Sequence, residues 1–274
     1  MAFQELNGAS MTAEQIDTYL ARIGIQHEPV QLTLDYLTKL QYAHITRIPY
    51  ENLDIMAGIP TSLDREDLFE KMIVNGRGGV CSELNTLYNW LLESLGFDVT
   101  SYSSRIIAKT KPLQGASHRI MAVRFRQATY ITDVGFNYQH HRKPLLLTPN
   151  QIQDDGDCQY KLEQDEFFGW IMWQNRPRSG WRKKLGFAEL PQIDIDFISP
   201  TFFAEAHPDS AINKATKVSL YLPEENGTFY AIRTNQFLRE IGGEIEVLED
   251  ITSPEQETRI LQEVFHLPGS VARR

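Results

Sequence analysis

Cysteine is scarce: the 274 residues hold only Cys81 and Cys158. Two thiols cannot build a disulfide framework, so the fold must rest on a packed core, and such usage suits a reducing cytoplasm. Long apolar runs are missing as well, and no stretch approaches the length and apolarity of a membrane span. Met1 to Asn7 lacks a basic segment followed by an apolar run, so no secretory signal is visible and a cytoplasmic, membrane-free protein is expected. Positive charge is in deficit. A formal net charge of −9 argues against nucleic acid or an anionic membrane as partner, while leaving room for a small anionic ligand held by a few local cations. No Gly-x-x-x-x-Gly-Lys phosphate loop occurs. Cys158 stands among Asp154, Asp155 and Asp157, a spacing that fits neither zinc nor an EF-hand, so no metal is expected.

What the chain does have is a glycine cluster, Gly76-Arg77-Gly78-Gly79, directly ahead of Val80-Cys81-Ser82-Glu83-Leu84-Asn85. Leu84, Leu87, Tyr88, Leu91, Leu92 and Leu95 then recur at three- and four-residue steps, which predicts a helix with a buried face, and Gly96 supplies its stop. Cys81 falls at the first turn of that helix, where orphan N–H groups and the macrodipole favour a thiolate. The competing reading of a lone cysteine is a small core hydrophobe.

From Thr12 to Leu95 the pattern is helical. Thr12-Ala13-Glu14-Gln15 signals a capped helix, a second starts near Thr33, Pro49 forces an extended turn over Ile48 to Asp54, and a short helix covers Arg65 to Ile73. From Phe97 the period changes to that of strands: Val99 to Ile107, Arg119 to Phe125, Thr129 to Val134, Gln159 to Leu162 and Gly169 to Trp173. Without strand–helix alternation, an antiparallel barrel or strongly curved sheet follows. The last portion is mixed. A hairpin spans Val218 to Arg233, a strand covers Glu244 to Leu248, and a helix opens at Ser253-Pro254. The basic run Arg176, Arg178, Arg182, Lys183, Lys184 reads as a solvated loop, with phosphate contact as the competing reading.

Cys81 needs a base, and His118, at a turn feeding a strand, is the best placed. A base needs an orienting acceptor, and Asp133 ends the following strand. If the two strands pair, His118 and Asp133 become neighbours across the ladder. Taken singly, a histidine is usually a surface or satisfied core residue, and an aspartate before Val-Gly often only opens a turn. Tyr50 and Phe136 are candidate aromatic walls for a flat substrate, with core packing as the alternative. Arg77 and Glu51 read as a structural ion pair bracing the cysteine turn.

These motifs together resemble the arylamine N-acetyltransferase family over nearly the whole chain. Arg77 to Asn85 matches its Arg-Gly-Gly-x-Cys-x-Glu-Leu-Asn signature, Pro49 to Leu53 its Pro-aromatic-Glu-Asn-Leu element, His118 its strand-leading histidine, and Asp133 to Phe136 its Asp-Val-Gly-Phe. The resemblance implies an α+β fold with a helical bundle over 1–95, a β-barrel over 96–200 and an α/β lid over 201–274, around a cysteine-peptidase-like Cys-His-Asp core. It implies a triad of Cys81, His118 and Asp133, and transfer of acetyl from the co-substrate acetyl-CoA to an arylamine or arylhydrazine through an acetyl-cysteine. Gln114, Ser117 and Gly135 would approach the pantetheine, and Asp209 with Ser210 the nucleotide end. The chain departs from the pattern at Asn137, where the family commonly has glycine; asparagine tolerates the left-handed region, so the turn can stand. Two other readings share these residues: a cysteine peptidase or transglutaminase-like enzyme, and a binding module that kept the fold without the chemistry.

Overall fold

The structure, a computed structural model, describes residues 6–107, 115–137, 141–177, 179–222, 228–241 and 243–268. Helix α1 (Ala13–Arg22) opens under a reciprocal cap: the Gln15 N–H donates to the Thr12 hydroxyl and the Thr12 N–H to the Gln15 side chain. Helix α2 (Leu34–Ile45) is capped by Thr33. After Pro49 come a two-residue strand, β1 (Tyr50–Glu51), and a one-turn helix, α3 (Leu53–Met56). Helix α4 (Arg65–Phe69) then runs into a π-helical turn over Glu70–Val74, where the sequence suggests one short α-helix. Helix α5 (Cys81–Leu95) begins at Cys81 itself and ends at Gly96, whose φ of 93° only glycine adopts at little cost. Its Leu84, Leu87, Tyr88, Leu91 and Leu92 are fully buried and form the centre of the helical core.

Eight antiparallel strands follow: β2 (Asp98–Ile106), β3 (His118–Arg124), β4 (Thr129–Thr132), β5 (Leu145–Leu146), β6 (Gln153–Asp154), β7 (Gln159–Asp165), β8 (Gly169–Arg176) and β9 (Gly180–Gln192). Their order is β5-β4-β3-β2-β9-β8-β7-β6, a sheet that curls until its edges nearly meet. The Gln153 side chain bridges the gap between the edge strands. Its amide oxygen accepts from the Leu146 N–H at 2.7 Å and its NH₂ donates to the Leu146 carbonyl at 3.0 Å, a side-chain copy of a ladder rung.

The basic run is not a loop. Arg182, Lys183 and Lys184 lie on the long strand β9, and Arg176 at the end of β8 pairs with Glu240; Arg178 lies outside the described residues. The lysines are tolerated in a strand because each has somewhere to put its charge: Lys183 lies over the Trp173 ring at 5.3 Å, and a register shift between Met172 and Trp173 turns Lys184 inward.

A 3₁₀ turn (Asp194–Phe197) leads into α6 (Ile198–Ala206), then β10 (Lys217–Leu222), β11 (Thr228–Arg233), β12 (Gln236–Ile241), β13 (Glu244–Asp250) and α7 (Pro254–Glu263). The expected hairpin forms between β10 and β11, its turn outside the described residues. Strand β12 escapes the sequence reading. The sheet's first strand is β1, pairing Tyr50 with Ser219, so the helical portion donates an edge to the C-terminal sheet. The result is the α+β arrangement of bundle, barrel and C-terminal α/β unit that the resemblance implies. No helix among the described residues is long and apolar enough to cross a membrane.

One buried cation locks bundle, barrel and the C-terminal connection together. Arg119, fully buried on β3, donates to the Ser101 hydroxyl (2.8 Å), the Thr86 hydroxyl (3.0 Å) and the Asp194 carboxylate (2.8 Å), with its guanidinium over Phe197. Arg119→Met keeps the bulk but strands these partners. The expected loss is about 3 kcal/mol, as for breaking a buried pair, read as a lower denaturant midpoint at unchanged slope. A change of about 1 kcal/mol or less, the range of an exposed pair, would contradict this role.

Candidate active site

Cys81 is the first residue of α5 and is partly exposed. Its turn is built by close approach. A Cβ on Gly78 would fall 2.0 Å from the Pro49 carbonyl oxygen, so only glycine lets the segment lie against β1. One ion-pair network, shared at Asp54, holds this turn. Arg77 donates to Glu51 at 2.7 and 2.9 Å and to Asp54 at 2.8 Å; Lys71 bridges Asp54 and Glu83. Glu83 in turn accepts the Val80 N–H at 2.8 Å, satisfying a donor at the helix start. Arg77 and Glu51 are thus the brace expected from sequence, extended by Lys71, Asp54 and Glu83.

His118 opens β3, Asp133 follows β4, and the two strands pair antiparallel. The pairing brings the His118 Nε2 to 2.6 Å from the Asp133 Oδ2, with both side chains buried. The ring lies close enough to the Cys81 side chain for its charge to be felt. With Nε2 committed to the carboxylate, Nδ1 is the nitrogen left for the sulfur. Burial works against a charged ring, but the adjacent Asp133 carboxylate, its hydrogen bond and Cys81 outweigh it, raising the His118 pKa to about 10. The ring is an imidazolium at neutral pH.

Asn85 was visible only as part of the cysteine motif, with no role assigned. It stands one turn after Cys81 on the same buried face of α5. Its Nδ2 donates to the Asp133 Oδ1 (2.8 Å) and the Arg119 carbonyl (2.6 Å), and its Oδ1 accepts from the Val134 N–H (2.9 Å). The Gly135 N–H also donates to the Asp133 Oδ1, at 2.8 Å. A buried asparagine mid-helix demands such partners, and that demand was the signal available in sequence.

The other singled-out residues divide. Gly135 packs on the first turn of α5: a Cβ there would lie 2.5 Å from the Asn85 Nδ2 and 2.6 Å from the Cys81 carbonyl oxygen. Phe136, half-buried, has its ring centroid 4.8 Å from that of His118. Tyr50 is buried in the helical core, and the charge of Cys81 is among the influences that raise its pKa after burial itself. Ser117, half-buried, adjoins His118, whereas Gln114 lies outside the described residues. Asp209 is exposed beyond α6; Ser210 is buried, its hydroxyl donating to the Ala204 carbonyl at 2.5 Å. Asn137 does not use the left-handed region, in which the non-glycine residues among those described are His27, Asn150, Thr234 and His266. It serves instead as an anchor, its carbonyl and side-chain oxygens accepting from the Ser219 hydroxyl of β10.

A thiol at a helix start, an imidazolium and a carboxylate in series form an arrangement suited to nucleophilic acyl transfer. Comparison with known proteins places the fold. The N-acetyltransferase family model matches residues 33–272. An arylamine N-acetyltransferase of Mycolicibacterium smegmatis is 33% identical over 204 residues, 72% of this chain and 73% of the relative. The solved arylamine N-acetyltransferase of Salmonella typhimurium superposes with a TM-score of 0.87 at 28% identity, covering 96% of this chain and 94% of that one. That of Mycobacterium marinum in complex with CoA superposes with a TM-score of 0.83 at 26% identity, with 92% of each chain covered. With its cysteine, histidine and aspartate motifs set in this fold, the chain belongs to the arylamine N-acetyltransferase family and is an acetyltransferase.

Proposed function

We propose that the protein transfers acetyl from acetyl-CoA to the nitrogen of arylamines or arylhydrazines by a ping-pong mechanism through an acetyl-Cys81 intermediate. The observation that carries this reading is the buried His118–Asp133 pair at 2.6 Å with Cys81 close to the same imidazole ring. The three units, residues 1–95, 96–200 and 201–274, then supply the nucleophile, the base with its acceptor, and the cover. Two free cysteines fit a cytoplasmic setting.

The Cys81 sulfur attacks the thioester carbonyl, forming a new C–S bond and an oxyanion. First-turn N–H groups of α5, that of Cys81 foremost, are the donors proposed for this charge. Collapse breaks the bond to the CoA sulfur, and the His118 imidazolium gives that sulfur its proton. CoA departs, and an amine enters beside Phe136 and Tyr50. Its nitrogen attacks the acetyl carbon while His118 takes the proton, and Cys81 leaves as thiolate. Ser117, Gly135, Asp209 and Ser210, with Gln114, are proposed contacts for CoA; the CoA-bound relative supports a CoA site in this fold.

Cys81 is expected to alkylate far faster than Cys158, which is buried and whose thiol is pushed up to about 11 by burial and by Asp157 and Asp155. Peptide mapping after brief iodoacetamide treatment reads this; equal labelling would exclude Cys81 as nucleophile. Incubation with acetyl-CoA alone is expected to add one acetyl group to Cys81, and added arylamine to remove it. Double-reciprocal plots at several amine concentrations are then parallel. Intersecting plots without acetylated protein would point to a ternary complex, and a peptidase or transglutaminase predicts neither the adduct nor its discharge.

The Asp133 carboxylate is the main influence raising His118. The folded chain therefore holds that proton more tightly than an unfolded one, a stabilisation complete below about 6.5 and lost as pH rises through about 10. In Asp133→Asn the largest influence raising the ring is gone, and burial pulls its pKa down. The acetylation rate at pH 7 is expected to fall ~100-fold or more, by comparison with the larger effect of the equivalent change in a serine-protease triad. The stability advantage across pH 7 to 10 should fall with it. Near-normal acetylation in this variant would assign the orienting role to another residue.

A further inference from the structure

The basic run on β9 leaves one group that the chemistry above does not use. The register shift between Met172 and Trp173 turns Lys184 into the barrel, where it is 8% exposed. Its Nζ donates to the Gln174 side-chain oxygen at 3.3 Å and lies 4.4 Å from the centre of the Phe136 ring, the shortest of the cation–ring contacts among the described residues. The same Phe136 ring stands 4.8 Å from the His118 ring. One phenyl ring thus touches both the imidazole and a buried amine, although Lys184 is 66 residues from His118 in sequence. The titratable and charged groups around Lys184 come from four places: Arg176 at the end of β8, the Cys158 thiol before β7, Asp133 after β4, and Asp155 after β6. His141, buried nearby, feels both Lys184 and Asp133.

We propose that Lys184 is a positioning residue of the acyl-transfer site: as an ammonium ion it pins Phe136 against the His118 imidazole, and as a free amine it releases that ring. This rests on the acyl-transfer reading for its biological meaning and on geometry alone for its physics. A desolvated cation held over an aromatic face is attracted to it, and a neutral amine is not. Burial, foremost, and then Arg176 bring the Lys184 pKa down to about 7, so the switch between the two states falls near neutrality. Asp133, Asp155 and Cys158 pull the other way without prevailing. The Phe136 ring is then held against the imidazole below pH 7 and freer above it, where the imidazolium itself, with a pKa of about 10, stays charged.

The test follows carbamidomethylation of Cys81 by iodoacetamide from pH 5 to 9 in the full-length protein, which needs no acetyl donor. Lys184→Met and Lys184→Arg keep the bulk of the side chain; circular dichroism checks that each variant is folded. Wild type is expected to show an inflection near pH 7, reacting about threefold or more faster on the acid side than extrapolation from the alkaline side gives, the lower range of a cation–π contact. Lys184→Met should lack it and follow the alkaline limb throughout. Lys184→Arg, charged at every pH used, should hold the acid limb to pH 9. The His118 ring resonances in wild type should shift with the same midpoint, a signature that a purely structural lysine does not produce. A wild-type profile without the inflection, or its survival in Lys184→Met, overturns the assignment. Should the inflection and its loss in Lys184→Met appear while acetyl-CoA fails to label Cys81, the Lys184 assignment stands and the acetyl-transfer reading falls.

Discussion

The site depends on how one buried carboxylate spends its two oxygens. Asp133 Oδ2 is held by His118, and Oδ1 by Asn85 and the Gly135 N–H. Removing a carboxylate from water is costly unless every lone pair finds a donor, and here the donors come from two different layers of the fold. Asn85 belongs to α5, the helix that presents Cys81; His118 opens barrel strand β3 and Asp133 directly follows its partner β4. The bonds that satisfy the aspartate are therefore the bonds that dock the bundle on the barrel. Alternation along β3 completes the device. His118 meets the site, while the next residue, Arg119, reaches Thr86 of α5 and Asp194. The geometry of this site and the register of helices on barrel share one set of contacts, so the first cannot drift without loosening the second.

Much of this was legible in the sequence because periodicity and capping are local. The α5 repeat, its Gly96 stop, the Thr12 and Thr33 caps and the β3–β4 pairing that joins His118 to Asp133 all follow from residues near one another in the chain. What was not legible is non-local. Strand β9 reads as a loop because Arg182, Lys183 and Lys184 break the apolar alternation. Only the folded barrel supplies Trp173 beneath Lys183 and an interior for Lys184. Strand β12 hides for a related reason: Arg239 and Glu240 interrupt it, and Glu240 is accommodated by Arg176 from the distant strand β8. Asn85 carried no local signal beyond its helical burial, since its partners lie 34 to 49 residues away.

Asn137 shows how a right outcome can have a different cause. The turn after Phe136 survives the change from glycine because its backbone does not need positive φ. Asparagine adds a side-chain acceptor that glycine lacks, and that oxygen shares the Ser219 hydroxyl with the backbone carbonyl. Ser219 sits on β10 opposite Tyr50 of β1, which is bridged to Gly79 of the cysteine turn. The loop bearing Asp133 and Phe136, the C-terminal sheet and the cysteine turn are thus stitched in a ring. In this chain the residue after Phe136 ties the C-terminal sheet to the loop that carries Asp133 and Phe136.

Charge balance links that pocket to its surroundings. On the proposed mechanism the resting site holds an aspartate, an imidazolium and a thiolate, a buried excess of one negative charge. Lys184, one phenyl ring away, supplies the compensating positive charge when protonated. Acetylation removes the thiolate charge, but the CoA sulfur takes the His118 proton as it leaves, so the acetyl-enzyme keeps the same excess, now an aspartate beside a neutral ring. The Lys184 ammonium therefore meets the same net charge before and after acetylation, and its protonation and the acetylation of Cys81 are expected to be uncoupled to first order.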